Sequence, residues 1–398
     1  MKPIIEHEPL PAQRTYLLDT ASAVAYPLHM RIGFDARMAY YSTAGIGHYI
    51  DGLLGGLMRV DRENRYTVFH SRKDRDLPPQ PSNFRTRSLW TPCHHRWEQL
   101  ALPAELSLAR LDVLHSPDFI PPLHRRCRSV ITVHDLAFLH FPELLTEEAR
   151  RYYGQIYLAV ESADTIIAVS ENTKSDLVEL AGATPGKVHV VYEAPAESYH
   201  QVEPGAEGMP ASVQALAEPF LLFVGTLEPR KNLPVLLQAM AIIKADRGRG
   251  TPLLVIAGKK GWLYQDTLDL IGTLNLSGET LLFGPASQEE LLWLYNRAEA
   301  MVLPSIYEGF GLPVIEAMAC GTPVITTNVS SLPEAAGEAA ILVDPHDSDG
   351  LASAISRVLD DPDLRARMRQ AGLAQSSHFD WDSTARATVE GYRKASFS

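Results

Sequence analysis

Short apolar runs of strand length alternate with helix-period stretches twice along this chain, and that repeated layout leaves few folds open. The first series starts at Met30 with "MRIGFDAR" and continues through "RYTVFHS", "LDVLHSP", "RSVITVHDL", "ADTIIAVS" and "KVHVVYEAP". The second runs through "PFLLFVGT", "TPLLVIAG", "ETLLFGPAS", "AMVLPS", "TPVITT" and "AAILVD". Strands that alternate with helices imply a parallel sheet covered on both faces. Residues 194–218, rich in Pro, Ala, Gly and Glu, read as a linker between the two series. A length of 398 residues suits two domains of ordinary size. The expected class is α/β, with two doubly wound, Rossmann-like domains facing across a cleft. One spans 30–200, the other 201–380, and a closing helix covers 381–398. Residues 1–29 show neither periodicity nor targeting logic and read as an extension that folding does not need. Within them "YLLDTASAVAYPL" is interrupted by Asp19 and lacks a basic flank, so it is not read as a signal segment.

In such sheets ligands bind outside the carboxyl ends of the strands. The residues at those ends are Asp35, His115, His134 and Ser170 in the first half, then Gly225, Gly258, Gly284 and Ser305. Ordinary strand-to-helix turn chemistry accounts for any one of them; the set points to a cleft. "PSIYEGFGLPVIEAMACGTPVI" (304 to 325) carries the sharpest signal. Pro313 suits the first turn of a helix, and Gly321 and Pro323 end it. Glycines before that helix let backbone N–H groups approach a ligand closely, which makes an anion site. Glu308 in the loop and Glu316 near the first turn flank it, and suit a ligand with phosphates and hydroxyls, such as a sugar nucleotide. The rival is that both carboxylates only cap or solvate the helix start.

"VGTLEPRKNLPVLLQA" places Arg230 and Lys231 just after a strand, with Asn232 as the expected N-cap and Pro234 in the first turn. Two fixed cations there can neutralise a diphosphate, although a surface pair would read the same way. His134, in "ITVHDLAF", is a candidate to hydrogen-bond a sugar hydroxyl, with a core or capping histidine as its alternative. "STAGIGHYI" lacks the third glycine of GxGxxG and no GxxxxGK occurs. It reads as a loop opening a helix toward anions, through Gly45 and Gly47. Asp74-Arg75-Asp76 forms a DxD in a charged, proline-rich loop, and His94-His95 has no partner at ligand spacing; no metal and no cofactor is expected.

A net charge of −12 argues against a nucleic-acid binder, and "RARMR" (365 to 369) reads as a solvated helix face. Cys93, Cys127 and Cys320 are odd in number and far apart, which suggests a reduced, cytoplasmic protein. No stretch is long and apolar enough to span a bilayer.

With these residues on view, "EGFGLPVIE" resembles the E-x7-E signature of retaining glycosyltransferases of family 4, which share the GT-B fold. The similarity extends in order through "TVHDLAFLHFPE", "AVSENTKSDL", "GTLEPRKNL" and "ACGTPVITTNVSSLPE", over about 30 to 395. The resemblance implies that Glu316 holds the ribose hydroxyls and that Glu308 lies near the donor sugar. It implies that Arg230 and Lys231 bind the diphosphate in place of a metal, and that His134 contacts the sugar. Backbone groups of Gly309, Phe310, Gly311 and Leu312 would contact sugar and phosphate, Pro285 and Ala286 would cradle the base, and the last helix would cross back onto the first domain. Ala44-Gly45 stands where the family has a glycine pair, and His48 where arginine is common.

The implied activity is retaining, metal-independent hexosyl transfer by same-face attack from a nucleoside-diphosphate sugar to a saccharide or lipid-linked acceptor. The likeness of "GIGHY" and "HDLAFLHFPE" to bacterial surface-polysaccharide mannosyltransferases makes GDP-mannose the first donor and UDP-glucose the second. A lipid-linked acceptor would place the enzyme peripherally at the inner membrane face. The alternative from a different class is a catalytically idle sugar-nucleotide-binding subunit.

Overall fold

The computed structural model describes residues 29–41, 45–74, 80–95, 97–203, 205–216, 219–261 and 263–397. The extension up to residue 28, Ala44, and Arg75 and Asp76 of the DxD lie outside the described residues. The first sheet is built from β1 (Arg31–Asp35), β2 (Arg65–Ser71), β3 (Phe84–Leu89), β4 (Val113–Ser116), β5 (Arg128–Val133), β6 (Thr165–Ala168) and β7 (Val188–Val190). The second contains β8 (Phe220–Val224), β9 (Leu253–Ala257), β10 (Thr280–Gly284), β11 (Ala300–Leu303), β12 (Val324–Thr327) and β13 (Ile341–Val343). Their orders are β3-β2-β1-β4-β5-β6-β7 and β10-β9-β8-β11-β12-β13. Every strand pair is parallel. The order reverses between β1 and β4 and again between β8 and β11, the two places where such sheets open a crevice.

Inner strands are apolar on both faces because helices cover both sides of a parallel sheet. "FLLFV" of β8 and "AMVL" of β11 are buried along their whole length. β3, "FRTRSL", escapes a hydrophobic-pattern reading: only Phe84 and Leu89 are buried. It is an edge strand, where arginines can occupy the open side and discourage further pairing.

Two expectations need correction. The 194–218 stretch is no free linker, since Tyr199, Val213 and Leu216 join the core of the second sheet. Asn232 stands at the N-cap position of helix Leu233–Arg247, but in the left-handed region (φ 56°) and without capping it. Its side-chain amide instead donates to the carbonyls of Pro304 (3.0 Å) and Pro345 (2.6 Å), tying the loop after β8 to those after β11 and β13.

The last helix, Trp381–Phe397, packs on helix Gly45–Val60 and against β5 and β6 of the first sheet. Two glycines permit this approach: a Cβ on Gly56 would lie 2.3 Å from the Trp381 carbonyl oxygen, and one on Gly52 2.1 Å from the Trp381 ring. The Trp381 indole N–H donates to the Pro195 carbonyl at 3.0 Å. Among the described residues no helix is long and apolar enough to cross a membrane.

Candidate active site

The loop after β11 and the loop after β8 meet at the carboxyl ends of neighbouring strands, and their charged side chains join. Glu308 is buried. Its Oε1 accepts from Lys231 Nζ and Ser305 Oγ, each at 2.6 Å, and its Oε2 from Arg230 Nη1 at 2.9 Å. Burial pushes the Glu308 carboxyl upward, but Lys231 and Arg230 outweigh it and hold the group at about 2. Burial lowers the Lys231 ammonium, and Glu308 is the main opposing influence. Arg230 also contacts Glu228, Nε to Oε1, at 2.6 Å. The cation pair therefore comes with two carboxylates, so its net charge is smaller than the sequence suggested.

Gly311 has φ +105°, a left-handed cap that only glycine adopts readily, and it opens helix Leu312–Ala319 with Pro313 in the first turn. The N–H groups of Gly309, Phe310 and Gly311 have no protein acceptor among the described residues. Gly309 is needed for another reason. A Cβ there would sit 1.8 Å from the His134 carbonyl oxygen of the first domain. The Gly309 carbonyl accepts from Ser170 Oγ (2.6 Å) and Thr173 Oγ1 (3.1 Å), both also from the first domain. The Phe310 ring turns into packing between Tyr192 (stacked, 5.6 Å) and Phe379.

Glu316 lies just past the first turn of its helix and faces a different cavity. That cavity separates helix Gly45–Val60 from the second domain and is lined by His48, Arg59, Gln288, Leu312, Glu316 and Trp381, among others. The Glu316 carboxylate accepts from the Tyr295 hydroxyl at 2.8 Å and forms no salt bridge among the described residues. Burial drives its pKa up to about 7, against the pull of Tyr295. The two glutamates thus serve two places: one sits at a cation cluster, the other at a cavity without a cation partner.

His134 lines the cleft that Arg230 reaches from the other domain. Its Nδ1 lies 2.8 Å from Glu193 Oε1 and its Nε2 2.8 Å from the Pro117 carbonyl oxygen. Both partners are able to accept, so an imidazolium that donates from both nitrogens satisfies the two contacts. Burial opposes that charge, but Glu193 and the Pro117 carbonyl carry the pKa above its ordinary value. The expected bond from His134 to a sugar hydroxyl is therefore not prepared in this conformation.

Gly45 and Gly47 form the first turn of helix Gly45–Val60; Ile46 reaches the His134 cleft and His48 the Glu316 cavity. Gly225 follows β8 with φ +156°, and the Lys231 chain passes 3.4 Å from where its Cβ would be. Pro285 and Ala286 lie in the turn before helix Gln288–Arg297, whose capping box uses Ser287 and Glu290. No group of three or more metal-ligating side chains occurs among the described residues.

Comparisons with known proteins agree along most of the chain. Residues 43–194 match the family described as Glycosyltransferase Family 4, and residues 209–375 match Glycosyl transferases group 1. O-antigen chain mannosyltransferase B of Escherichia coli is 30% identical over 386 residues, covering 92% of this chain and 100% of that protein. The chain belongs to the family 4 glycosyltransferases. Serotype-specific mannosyltransferase WbdA of Escherichia coli is 29% identical over 272 residues, and there the match spans only 33% of the larger relative. Sucrose-phosphate synthase from Thermosynechococcus elongatus superposes with a TM-score of 0.73 at 23% identity, over 92% of this chain and 98% of that one. This glycosyltransferase therefore has the GT-B fold.

Sequence reasoning on the enzyme passed over several residues that complete the site. Glu228 was visible inside "LEPRK", and Glu193 as a charged residue just beyond the strand "VHV". Ser330 and Ser331 both donate to the Glu308 carbonyl, and Tyr295 comes from another helix. No local pattern marks a partner that arrives from a distant element.

Proposed function

We propose that this glycosyltransferase is a retaining, metal-independent mannosyltransferase. It takes mannose from GDP-mannose and adds it to a saccharide or lipid-linked saccharide in surface-polysaccharide synthesis. The sugar assignment follows the likeness to the O-antigen mannosyltransferase over that protein's whole length. The observation that carries the donor site is Glu316: a buried carboxylate with no cationic partner raises its own folding cost, and such groups concentrate at functional positions. In this reading Glu316 accepts hydrogen bonds from the ribose hydroxyls. Arg230 and Lys231, held charged by Glu308, stabilise the leaving diphosphate as the glycosidic bond breaks. The acceptor hydroxyl attacks from the face that the diphosphate leaves.

Glu316→Gln tests the donor site and separates it from a structural role. A carboxyl at about 7 in the folded state is above its ordinary value. Its stability contribution is unaffected below about pH 4.5 and falls as pH rises toward 7. Glutamine escapes that loss, so at about pH 8 the variant should be as stable as the parent or more so, by up to ~3 kcal/mol. Titration calorimetry should show nucleoside-diphosphate affinity reduced about ten- to a hundredfold, since hydrogen bonds to a charged acceptor are worth roughly 1.5–3 kcal/mol. A variant that melts earlier yet binds nucleotide normally would mean that Glu316 only supports its helix. GDP raising the melting temperature more than UDP supports the donor choice; the reverse order replaces GDP-mannose by a UDP-sugar.

A further inference from the structure

His94 finds no partner at ligand spacing in its own stretch of sequence, but the fold supplies one. Its Nε2 lies 2.7 Å from Oδ2 of Asp118, which comes from the loop after β4. Both residues line the cleft that also holds His134, Asp135 and Arg230. Asp118 Oδ1 accepts from the Phe119 N–H at 2.8 Å, which fixes the carboxylate. A neutral ring held this way donates its Nε2 proton to Asp118 and keeps a lone pair on Nδ1. That Nδ1 has no partner among the described residues, and the His94 side chain is 40% exposed. His134, by contrast, has both ring nitrogens engaged.

The loop that presents His94 is held in an unusual shape. His94 has φ 57°, a left-handed conformation uncommon outside glycine. Its N–H donates to Glu98 Oε2 at 2.8 Å, and Glu98 Oε1 accepts from the buried Arg37 at 2.7 Å. The same guanidinium donates to the Thr91 carbonyl at 2.8 Å, and the His94 ring lies 4.4 Å from that of Tyr152, centroid to centroid. Such a conformation persists where the surroundings enforce it, and it clusters at ligand clamps. Phe119, Phe138 and Tyr153 give the cleft an aromatic wall, their rings stacked at 4.7 to 6.0 Å. An apolar wall with a few fixed polar groups suits a ring that offers both C–H faces and hydroxyls. The cations lining the cleft are committed: His94 to Asp118, His134 to Glu193, and Arg230 to Glu308 and Glu228. Asp135 is left without a salt bridge among the described residues.

We propose that His94, oriented by Asp118, grips a hydroxyl of the acceptor's terminal sugar, and that this sugar carries no phosphate. A sugar hydroxyl both gives and takes a hydrogen bond, so it matches Nδ1 whether the ring is neutral or protonated. One apolar face of the sugar lies on the aromatic wall. Asp118 is a positioning residue: it sets which ring nitrogen carries the proton and which way the ring faces. The proposal rests on the donor reading above, in which the diphosphate occupies Arg230 and Lys231. A second phosphate on the acceptor would then meet Asp135 and Asp118 with no lining cation to spare.

Initial rates with labelled GDP-mannose test it. The acceptors are octyl glycosides of mannose, glucose, galactose and N-acetylglucosamine, set beside mannose 6-phosphate and glucose 6-phosphate. At least one neutral glycoside should be glycosylated and neither phosphate should. His94→Gly keeps the left-handed backbone and should raise KM for the best glycoside roughly tenfold or more. Its kcat should fall by less than KM rises, while KM for GDP-mannose and the GDP-induced thermal shift stay near parental. His94→Asn tolerates the same φ and offers an amide near the Nδ1 position, so it should recover most of the loss. Asp118→Ala should raise the same KM severalfold, and combined with His94→Gly it should add nothing further, because it acts through His94. Transfer to a sugar phosphate in preference, donor hydrolysis with transfer to no glycoside, parental acceptor KM in His94→Gly, or multiplied effects in the double variant would each overturn the proposal. Loss of the GDP-induced shift in His94→Gly would mean a role in the fold or the donor site, and also overturns it. Activity with UDP-glucose alone would defeat the choice of donor but leave the acceptor test to be read with that sugar. Inactivity with both donors, without a thermal shift by GDP or UDP, would defeat the donor reading and this proposal with it.

Discussion

Replacing Gly309 by alanine should reduce kcat/KM at least a hundredfold while leaving the secondary structure intact. The local backbone gives no reason for such an effect, because Gly309 is not among the glycines of positive φ and alanine would fit its own conformation. The obstacle is tertiary. The added methyl would lie 1.8 Å from the His134 carbonyl oxygen and 2.9 Å from Asp135 Cβ, and the nearest of these is backbone that cannot rotate aside. Either the loop Glu308–Gly311 withdraws or the two domains part. Withdrawal also breaks the bonds from Ser170 and Thr173 to the Gly309 carbonyl. A displacement of about 1 Å in reacting groups is enough for a hundredfold loss. Initial rates beside far-ultraviolet circular dichroism decide the matter: a folded variant with near-parental rates would show that this close approach is not part of the working state.

Glu308→Gln should be damaging in a second way, through the charges it abandons. Glu308 is the shared counter-ion of Arg230 and Lys231, so its loss leaves two cations beside a strand end with Glu228 and the more distant influence of Asp135 against them. Removing one partner of a buried ion pair typically destabilises by about 3–5 kcal/mol. The pH dependence carries the signature. A folded value of about 2 lies below the ordinary carboxylate range. The stability this supplies, roughly 3 kcal/mol, is complete above about pH 4.5 and disappears as pH falls toward 2. Denaturant titrations should therefore show the parent losing stability through that acid window and the variant losing correspondingly less. Lys231, without its main support against burial, should shed its proton more readily, so nucleoside-diphosphate binding weakens along with kcat. This differs from a carboxylate that meets only the transferred sugar, whose loss would spare the bare nucleotide. Unchanged stability, or undiminished nucleotide affinity, would remove Glu308 from the counter-ion role.

Opposite stability effects are thus expected from two glutamates in one short motif, and the difference arises from surroundings that the motif does not contain. Glu308 is surrounded by cations from the loop after β8, whereas Glu316 meets a tyrosine hydroxyl and the cavity beside helix Gly45–Val60.

The sequence alone determined the layered α/β class, because strands covered on both faces must be apolar throughout, and runs such as "FLLFV" and "AMVL" declare it locally. It also determined where the glycine turn, the helix start and the two glutamates lie, since proline and glycine act on their own backbone. β3 was hidden because an edge strand needs few apolar residues, and the 194–218 stretch because its three core residues are scattered among turn formers. Tertiary structure decided what each side chain does. Gly309 is small because His134 of the other domain touches it, and Gly52 and Gly56 because Trp381 does. His134 has both ring nitrogens engaged because Glu193 and the Pro117 carbonyl each lie 2.8 Å from one of them. Such partners are brought together by packing of elements far apart in the chain, and periodicity and turn chemistry report only on near neighbours.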